Sequence, residues 1–273
     1  MAVITISREM GTGAYQVARE VAKKLKYLLV DGAKIAELAP QYGLSPEGAE
    51  RVDEKPPAYI TAEDRLHAAQ LKTIELILLE CARKGNVILY GRGGQDLLKG
   101  LGNVLRVRIV APFDERVEKF AEREWIDPDL ARELIRKNDH QRGGFIHFYF
   151  DRDWRDPLGY DLVINTSRLS AGATVDMIVA AARDGRLKEA EADANEVLDG
   201  AILCKRVEAE LLRSGKVENM HFRITSSEGV VNLSGHVHSD DEKSKAVKTA
   251  AKVSGVKRVI DDLHVIGYKP YKE

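Results

Sequence analysis

Apolar positions along the 273-residue chain follow two rhythms, and where one gives way to the other marks the elements. Val3 to Ile6 is a short β-branched run, followed by a glycine-containing loop from Ser7 to Gly13. Val17, Val21, Ala22 and Leu25 then recur at helical spacing, which reads as strand, loop, helix. Tyr27 to Val30 predicts a second strand ending at Asp31-Gly32. The polar stretch after it, with Pro40, Pro46, Pro56 and Pro57, reads as irregular or mobile. Thr61 with Asp64 has the form of a capping box for a long helix, whose apolar face carries Leu66, Ile74, Ile77, Leu78 and Cys81 before Gly85 stops it.

Apolar runs return at Val87 to Tyr90, Val104 to Val110 and Leu162 to Ile164. Helical patterns lie between the later ones, at Val117, Phe120 and Ala121 and around Leu130 to Ile135, and another runs from Ala173 to Ala182. Strands alternating with helices predict a parallel sheet covered on both faces. Asp184 to Asn195, rich in charge and alanine, reads as a linker that can itself be helical. Beyond it the rhythm changes. Leu203, Val207 and Leu211 are four apart; Met220, Phe222 and Ile224 alternate with His221, Arg223 and Thr225; Val231, Leu233 and Val237 alternate too. A helix carrying Ala246, Ala250 and Val253 and a strand with Val259, Leu263 and Val265 complete a small α+β unit, helices on one face of its sheet. The expected domains are residues 1–185 and 198–268, joined by 186–197.

Composition narrows this only modestly. With 42 Lys plus Arg against 43 Asp plus Glu, no global field marks a nucleic-acid or acidic-membrane binder. No apolar run approaches a membrane span and the N-terminus lacks a secretory pattern, so a cytoplasmic, soluble protein is expected. Cys81 and Cys204 are far apart and read as small apolar packing residues.

The candidate chemistry starts at the first loop. In an open α/β sheet, the turn from the first strand into a helix N-terminus presents unpaired N–H groups and the helix dipole to an anion. Gly11 and Gly13 give the backbone its freedom there, although two glycines also suit a plain tight turn. A full Walker pattern would place lysine after the last glycine, and this chain has Ala14, Tyr15 and Gln16.

The run ITISREMGTG followed by VAREVAKKL resembles the opening of the cytidylate kinase-like family, in which an SRE triplet precedes the glycine-rich loop. VILYGRG from Val87, VRIVAPFDERVEKFAERE and YDLVINTSRLS resemble that family's later strands and turns in the same order. The resemblance implies a P-loop nucleoside monophosphate kinase fold, ATP with Mg2+, and phosphoryl transfer to CMP, dCMP or a related monophosphate. It implies that Ser7, Arg8, Gly11, Thr12, Gly13 and Ala14 hold the ATP phosphates, that Arg92 clamps the acceptor phosphate and that Asp31 helps place the acceptor. A lid is expected between Trp125 and Asp156, with Arg142 in Asp-x-x-Arg, Arg136 and Asp139 as catalytic candidates and Arg152 nearby; surface ion pairing is the competing reading for these arginines. The family's loop cation is missing, so Arg8 or a lid arginine has to substitute.

The aromatic cluster of Phe145, Phe148, Tyr149, Phe150 and Trp154 reads as packing or a subunit contact before it reads as base stacking. His236 and His238 have no third ligand in view, so no metal site is expected. GVVNLSGHV and AAKVSGVKRVIDDLHV resemble a BON domain, with Gly235 and Gly255 expected in tight turns. That resemblance implies an unidentified ligand, protein or lipid partner, and Lys243, Lys245, Lys248, Lys252, Lys257 and Arg258 read as a solvated face. Two functions follow: a nucleoside monophosphate kinase regulated or localised by its BON module, or a catalytically weak nucleotide sensor signalling through it.

Overall fold

The computed structural model describes residues 2–52, 54, 56, 62–214 and 222–266. Pro57, Thr61, Met220, His221 and the end of the expected second domain lie outside these residues, as do the side chains of Asp64, Leu66 and Phe222.

The first unit begins with strand β1, Val3–Arg8, whose alternating residues enter two different cores: Val3 faces one, Ile4 and Ile6 the other. Helix α1, Ala14–Leu25, returns over the second core through Val17, Ala18 and Val21, and β2, Leu28–Val30, follows. The proline-rich stretch expected to be irregular is largely helical: α2, Gly32–Leu38, then a 3-10 turn at Ala39–Tyr42, then α3, Pro46–Arg51. The prolines mislead because Pro40 and Pro46 stand in the first turns of their helices, where a missing N–H costs nothing; the Ser45 hydroxyl accepts from the Gly48 N–H to cap α3. Helix α4, Ala62–Lys84, leads into β3, Val87–Tyr90, then α5, Gly94–Leu97, and β4, Val104–Val110.

Helix α6, Phe113–Glu124, is followed by α7, Pro128–Phe150, which extends well past the expected Leu130 to Ile135 segment because Asp127 caps its start and Phe145 and Ile146 bury its far end. Strand β5, Leu162–Asn165, and helix α8, Ala171–Ala182, close the unit. All strands run parallel in the order β2-β3-β1-β4-β5. β1 therefore lies centrally: the chain goes first to β2 and β3 on one side, then crosses to β4 and β5 on the other. A crevice opens at the strands' carboxyl ends beside β1, where open α/β sheets bind ligands.

The charged segment after α8 is helical: α9, Gly185–Glu189, and then α10, Glu191–Ser214. α10 belongs to both cores. Ala194, Leu198 and Ile202 pack with α4 residues such as Leu78 and Ala82, whereas Leu203, Val207 and Leu211 pack into the second unit. Arg83 grips Asp199 with two hydrogen bonds of 2.7 and 3.0 Å, Lys205 reaches the buried Glu75 at 2.7 Å and Arg206 reaches Glu80 at 2.7 Å, all between α4 and α10. Burying a Leu such as Leu198 contributes roughly 2 kcal/mol, so this seam is firm. The second unit adds β6, Phe222–Ser227, β7, Val230–Val237, α11, Asp240–Ala250, and β8, Arg258–Val265. β7 is central, antiparallel to β6 and parallel to β8. Gly255 lies in the turn before β8 as expected, but Gly235 lies inside β7, between Phe222 and Leu263, at φ 130.

Candidate active site

Every strand end around the crevice delivers a polar side chain. Arg8 ends β1, Asp31 follows β2, and Tyr90 ends β3 with Arg92 just after it. α7 passes over them and contributes Asn138, Gln141 and Arg142. Together with Tyr15 and Glu54 these residues line a cavity of about 360 Å3. Four expected site residues are thus brought together: Arg8, Asp31, Arg92 and Arg142.

Glu54 is the hub. Its Oε2 accepts from Arg8 Nη1 at 3.1 Å and from Arg142 Nε at 2.9 Å, and its Oε1 accepts from the Arg92 backbone N–H. Burial would push the carboxyl up, but Arg8, Arg142 and Arg92 outweigh it and hold the group down to about 2. Burial and the neighbouring Arg8 lower the Arg142 guanidinium, while Glu54 offsets the burial of Arg8 and leaves Arg8 raised. Arg8 also lies over the Tyr90 ring, 4.5 Å from its centroid. Arg8 thus rests on Tyr90 and Glu54 at the lining of the cavity.

Tyr15 turns the same way. Its hydroxyl donates to Asp31 Oδ2 at 2.8 Å, which raises the phenol, and its ring meets Tyr90 edge-on at 5.4 Å. Asp31 uses its other oxygen to cap α2 through the Lys34 N–H at 2.9 Å.

The loop itself is built by backbone geometry. Gly13 is left-handed at φ 75 and is the N-cap of α1; no side chain caps this helix end, while the Gly13 carbonyl accepts from the Gln16 N–H at 3.1 Å. Gly11, at φ 88, is pressed against α6: a Cβ there would stand 2.8 Å from the Arg116 carbonyl oxygen. The Thr12 hydroxyl donates to the Glu9 carbonyl at 2.9 Å, so Thr12 shapes the loop. Ser7 is buried and accepts from the Trp154 indole at 2.9 Å, which makes it a support for the segment after α7.

Asp139 is buried beneath this loop. It accepts from the Met10 N–H at 3.0 Å and pairs with Arg116 at 2.7 Å, so it latches α7 to the loop and to α6 instead of facing the cavity. Arg136 is exposed and lies 5.1 Å from the centroid of the Phe113 ring, away from the lining of the cavity. Of the aromatic cluster, Phe145 and Trp154 are buried, Tyr149 and Phe150 pack beside them, and Phe148 is exposed.

Sequence reasoning missed Glu54, Asn138, Gln141 and Arg116. For Asn138 a signal exists: Ile135, Asn138, Asp139 and Arg142 share the helical face that continues into the buried Phe145 and Ile146. Polar residues on a buried face point to a site.

The family model described as the cytidylate kinase-like family matches residues 3–168. The chain belongs to the cytidylate kinase-like family. A BON domain model matches residues 199–267, the unit built on β6, β7 and β8. A cytidylate kinase of Methanopyrus kandleri is 31% identical over 188 residues, covering 66% of this chain and 92% of that protein. One from Staphylothermus marinus is 32% identical over 181 residues, covering 65% and 94%. A solved structure of an uncharacterized protein from Eubacterium ventriosum superposes with a TM-score of 0.54 at 25% identity, covering 66% of this chain and 97% of that one. The cytidylate kinase-like match spans the residues from β1 to β5, whose carboxyl ends form the crevice. No helix among the described residues is long and apolar enough to cross a membrane.

Proposed function

We propose that this chain transfers the γ-phosphoryl group of ATP to a nucleoside monophosphate of the CMP or dCMP kind, and that its BON unit regulates or localises that activity. The observation that carries the reading is the convergence of Arg8, Arg92 and Arg142 with Asp31 on one cavity beside the N-terminus of α1. Guanidinium groups on two sides of a small polar cavity suit a phosphate monoester, which they can grip in fork geometry.

The residues present fit ATP at the loop. Gly11, Thr12, Gly13 and Ala14 would hold its phosphates through backbone N–H groups at an uncapped helix end. ATP bound there would supply the phosphoryl group, and Mg2+ accompanying it would offset negative charge on its phosphate oxygens. Arg8 and Arg142 would then flank the path between loop and acceptor, stabilising charge on the transferred oxygens where the family's lysine is absent. Asp31 would orient the acceptor, and Asp139 would act at one remove by keeping α7 and the loop in register.

A second reading, a nucleotide sensor that turns over poorly, is favoured by Tyr15. With Ala14 it fills the stretch after Gly13 that carries no cation, and its hydroxyl is committed to Asp31. Release of ADP measured across a panel of nucleoside monophosphates, with Arg142→Ala as control, separates the two. Release with CMP or dCMP that drops by at least about a hundredfold in the variant supports the kinase. Release no greater than in the variant, together with calorimetric ATP binding, leaves the sensor.

A further inference from the structure

The geometry points to Glu54 as an internal competitor for the acceptor's phosphate: its carboxylate sits in the anion seat formed by Arg8, Arg142 and the Arg92 N–H, and a phosphate monoester binds there by displacing it. The purpose of the seat rests on the acceptor reading above; what competes for it does not.

Glu54 is held as a phosphate would be. Both of its oxygens accept, Oε2 from two guanidinium groups and Oε1 from a backbone N–H, with a further contact of 3.4 Å from Arg8. A single carboxylate carries one negative charge, whereas Arg8, Arg92 and Arg142 all act on it. A phosphate dianion offers more charge and a third oxygen to the same donors, so it is the better ligand for this seat. The backbone also leaves room for the present occupant. A Cβ on Gly91 would stand 2.8 Å from Glu54 Oε1, and one on Gly144 of α7 would stand 3.0 Å from Cγ of Pro56, two residues beyond Glu54.

A permanent counter-ion that merely orients Arg8 and Arg142 predicts the opposite response to neutralisation. If Glu54 holds the seat about nine-tenths of the time, removing its charge tightens anion binding about tenfold, because apparent affinity scales with the competent fraction. If it is a positioning residue, removing the charge lets the two guanidinium groups separate and weakens binding.

The test is calorimetric titration of inorganic phosphate, and separately of CMP, into the full chain as wild type, Glu54→Gln and Glu54→Asp, with circular dichroism to verify folding. The expected result is about tenfold tighter binding of both probes by Glu54→Gln, abolished when Arg142→Ala is added. Unchanged or weaker binding by a folded Glu54→Gln overturns the proposal. Should Glu54→Gln not fold, Glu54→Asp decides: its shorter reach gives a smaller tightening in the same direction, and its absence overturns the proposal. ADP release is read in parallel. Tightened binding without release in any variant removes the kinase reading and leaves the competitor standing; release with CMP but no tightening does the reverse.

Discussion

Replacing Gly11 by Ala damages the cytidylate kinase-like unit far more than the same change at Gly13, although both glycines are left-handed members of one loop. At Gly13, φ is 75 and an added Cβ meets nothing within 4 Å. The cost there is the left-handed penalty alone, about 1 kcal/mol. At Gly11, φ is 88 and the Cβ would stand 2.8 Å from the Arg116 carbonyl oxygen and 3.0 Å from the Arg116 Cβ. Backbone cannot yield as a flexible side-chain tip does, so about 1–3 kcal/mol of overpacking is added. Relief requires the first turn of α6 to shift. That stretches the Arg116 contacts to Asp139 at 2.7 Å, to the Met10 carbonyl at 2.9 Å and to the Ala111 carbonyl at 3.0 Å. Gly11→Ala should therefore cost about 2–4 kcal/mol. In thermal unfolding this is a drop in Tm of roughly 3–7 °C, against roughly 2 °C for Gly13→Ala. Urea unfolding with a common m-value gives the two free energies directly. If Gly11→Ala costs no more than Gly13→Ala, the close approach of loop to α6 is wrong.

The latch beneath the loop predicts that Asp139→Asn loses about 2–3 kcal/mol in urea unfolding, below the full cost of stripping a buried pair because Glu9, 3.5 Å from Arg116, takes part of the charge. A double-mutant cycle of Asp139→Asn with Glu9→Gln should be non-additive. Acid acts on Glu54: its folded pKa is lowered from 4.5 to about 2, so its contribution, on the order of 3 kcal/mol, is complete above pH 4.5 and is lost as the pH falls through about 2. Acid unfolding of Glu54→Gln should lack that component between those limits. The seam along α10 predicts that Leu198→Ala costs about 2–4 kcal/mol and that the two units melt in one calorimetric transition, because one helix completes both cores. Two separate transitions in the wild type would contradict the shared helix.

The alternation of strand and helix in the first two-thirds of the chain was legible because buried parallel strands write near-continuous apolar runs, as Val87 to Tyr90 and Val104 to Val110 do. The second unit was legible from period two at Val231, Leu233 and Val237. Helices α2 and α3 were not, since prolines punctuate them at positions where proline is harmless, and position rather than presence decides their meaning. The division of labour among charged residues was only half legible. Arg8, Asp31, Arg92 and Arg142 could be named because they stand in short runs that resemble the family's motifs, and they do line one cavity. Which of them faces which ligand depends on tertiary partners far away in sequence. Glu54 meets Arg142 across 88 positions and Asp139 meets Met10 across 129, distances over which spacing carries no information. The linker's helical character was anticipated but its packing was not, because Ala194 and Leu198 continue a helical face whose partner, α4, lies more than a hundred residues earlier.

The cavity at the ends of β1, β2 and β3 is the proposed seat of the acceptor. A crystal structure of the full chain with CMP and a non-hydrolysable ATP analogue tests that most directly. The predicted result places the CMP phosphate within hydrogen-bond distance of Arg92 and Arg142 in that cavity, and the analogue's phosphates on the N–H groups from Gly11 to Ala14. CMP phosphate bound elsewhere, with Arg142 still paired to Glu54, would contradict it.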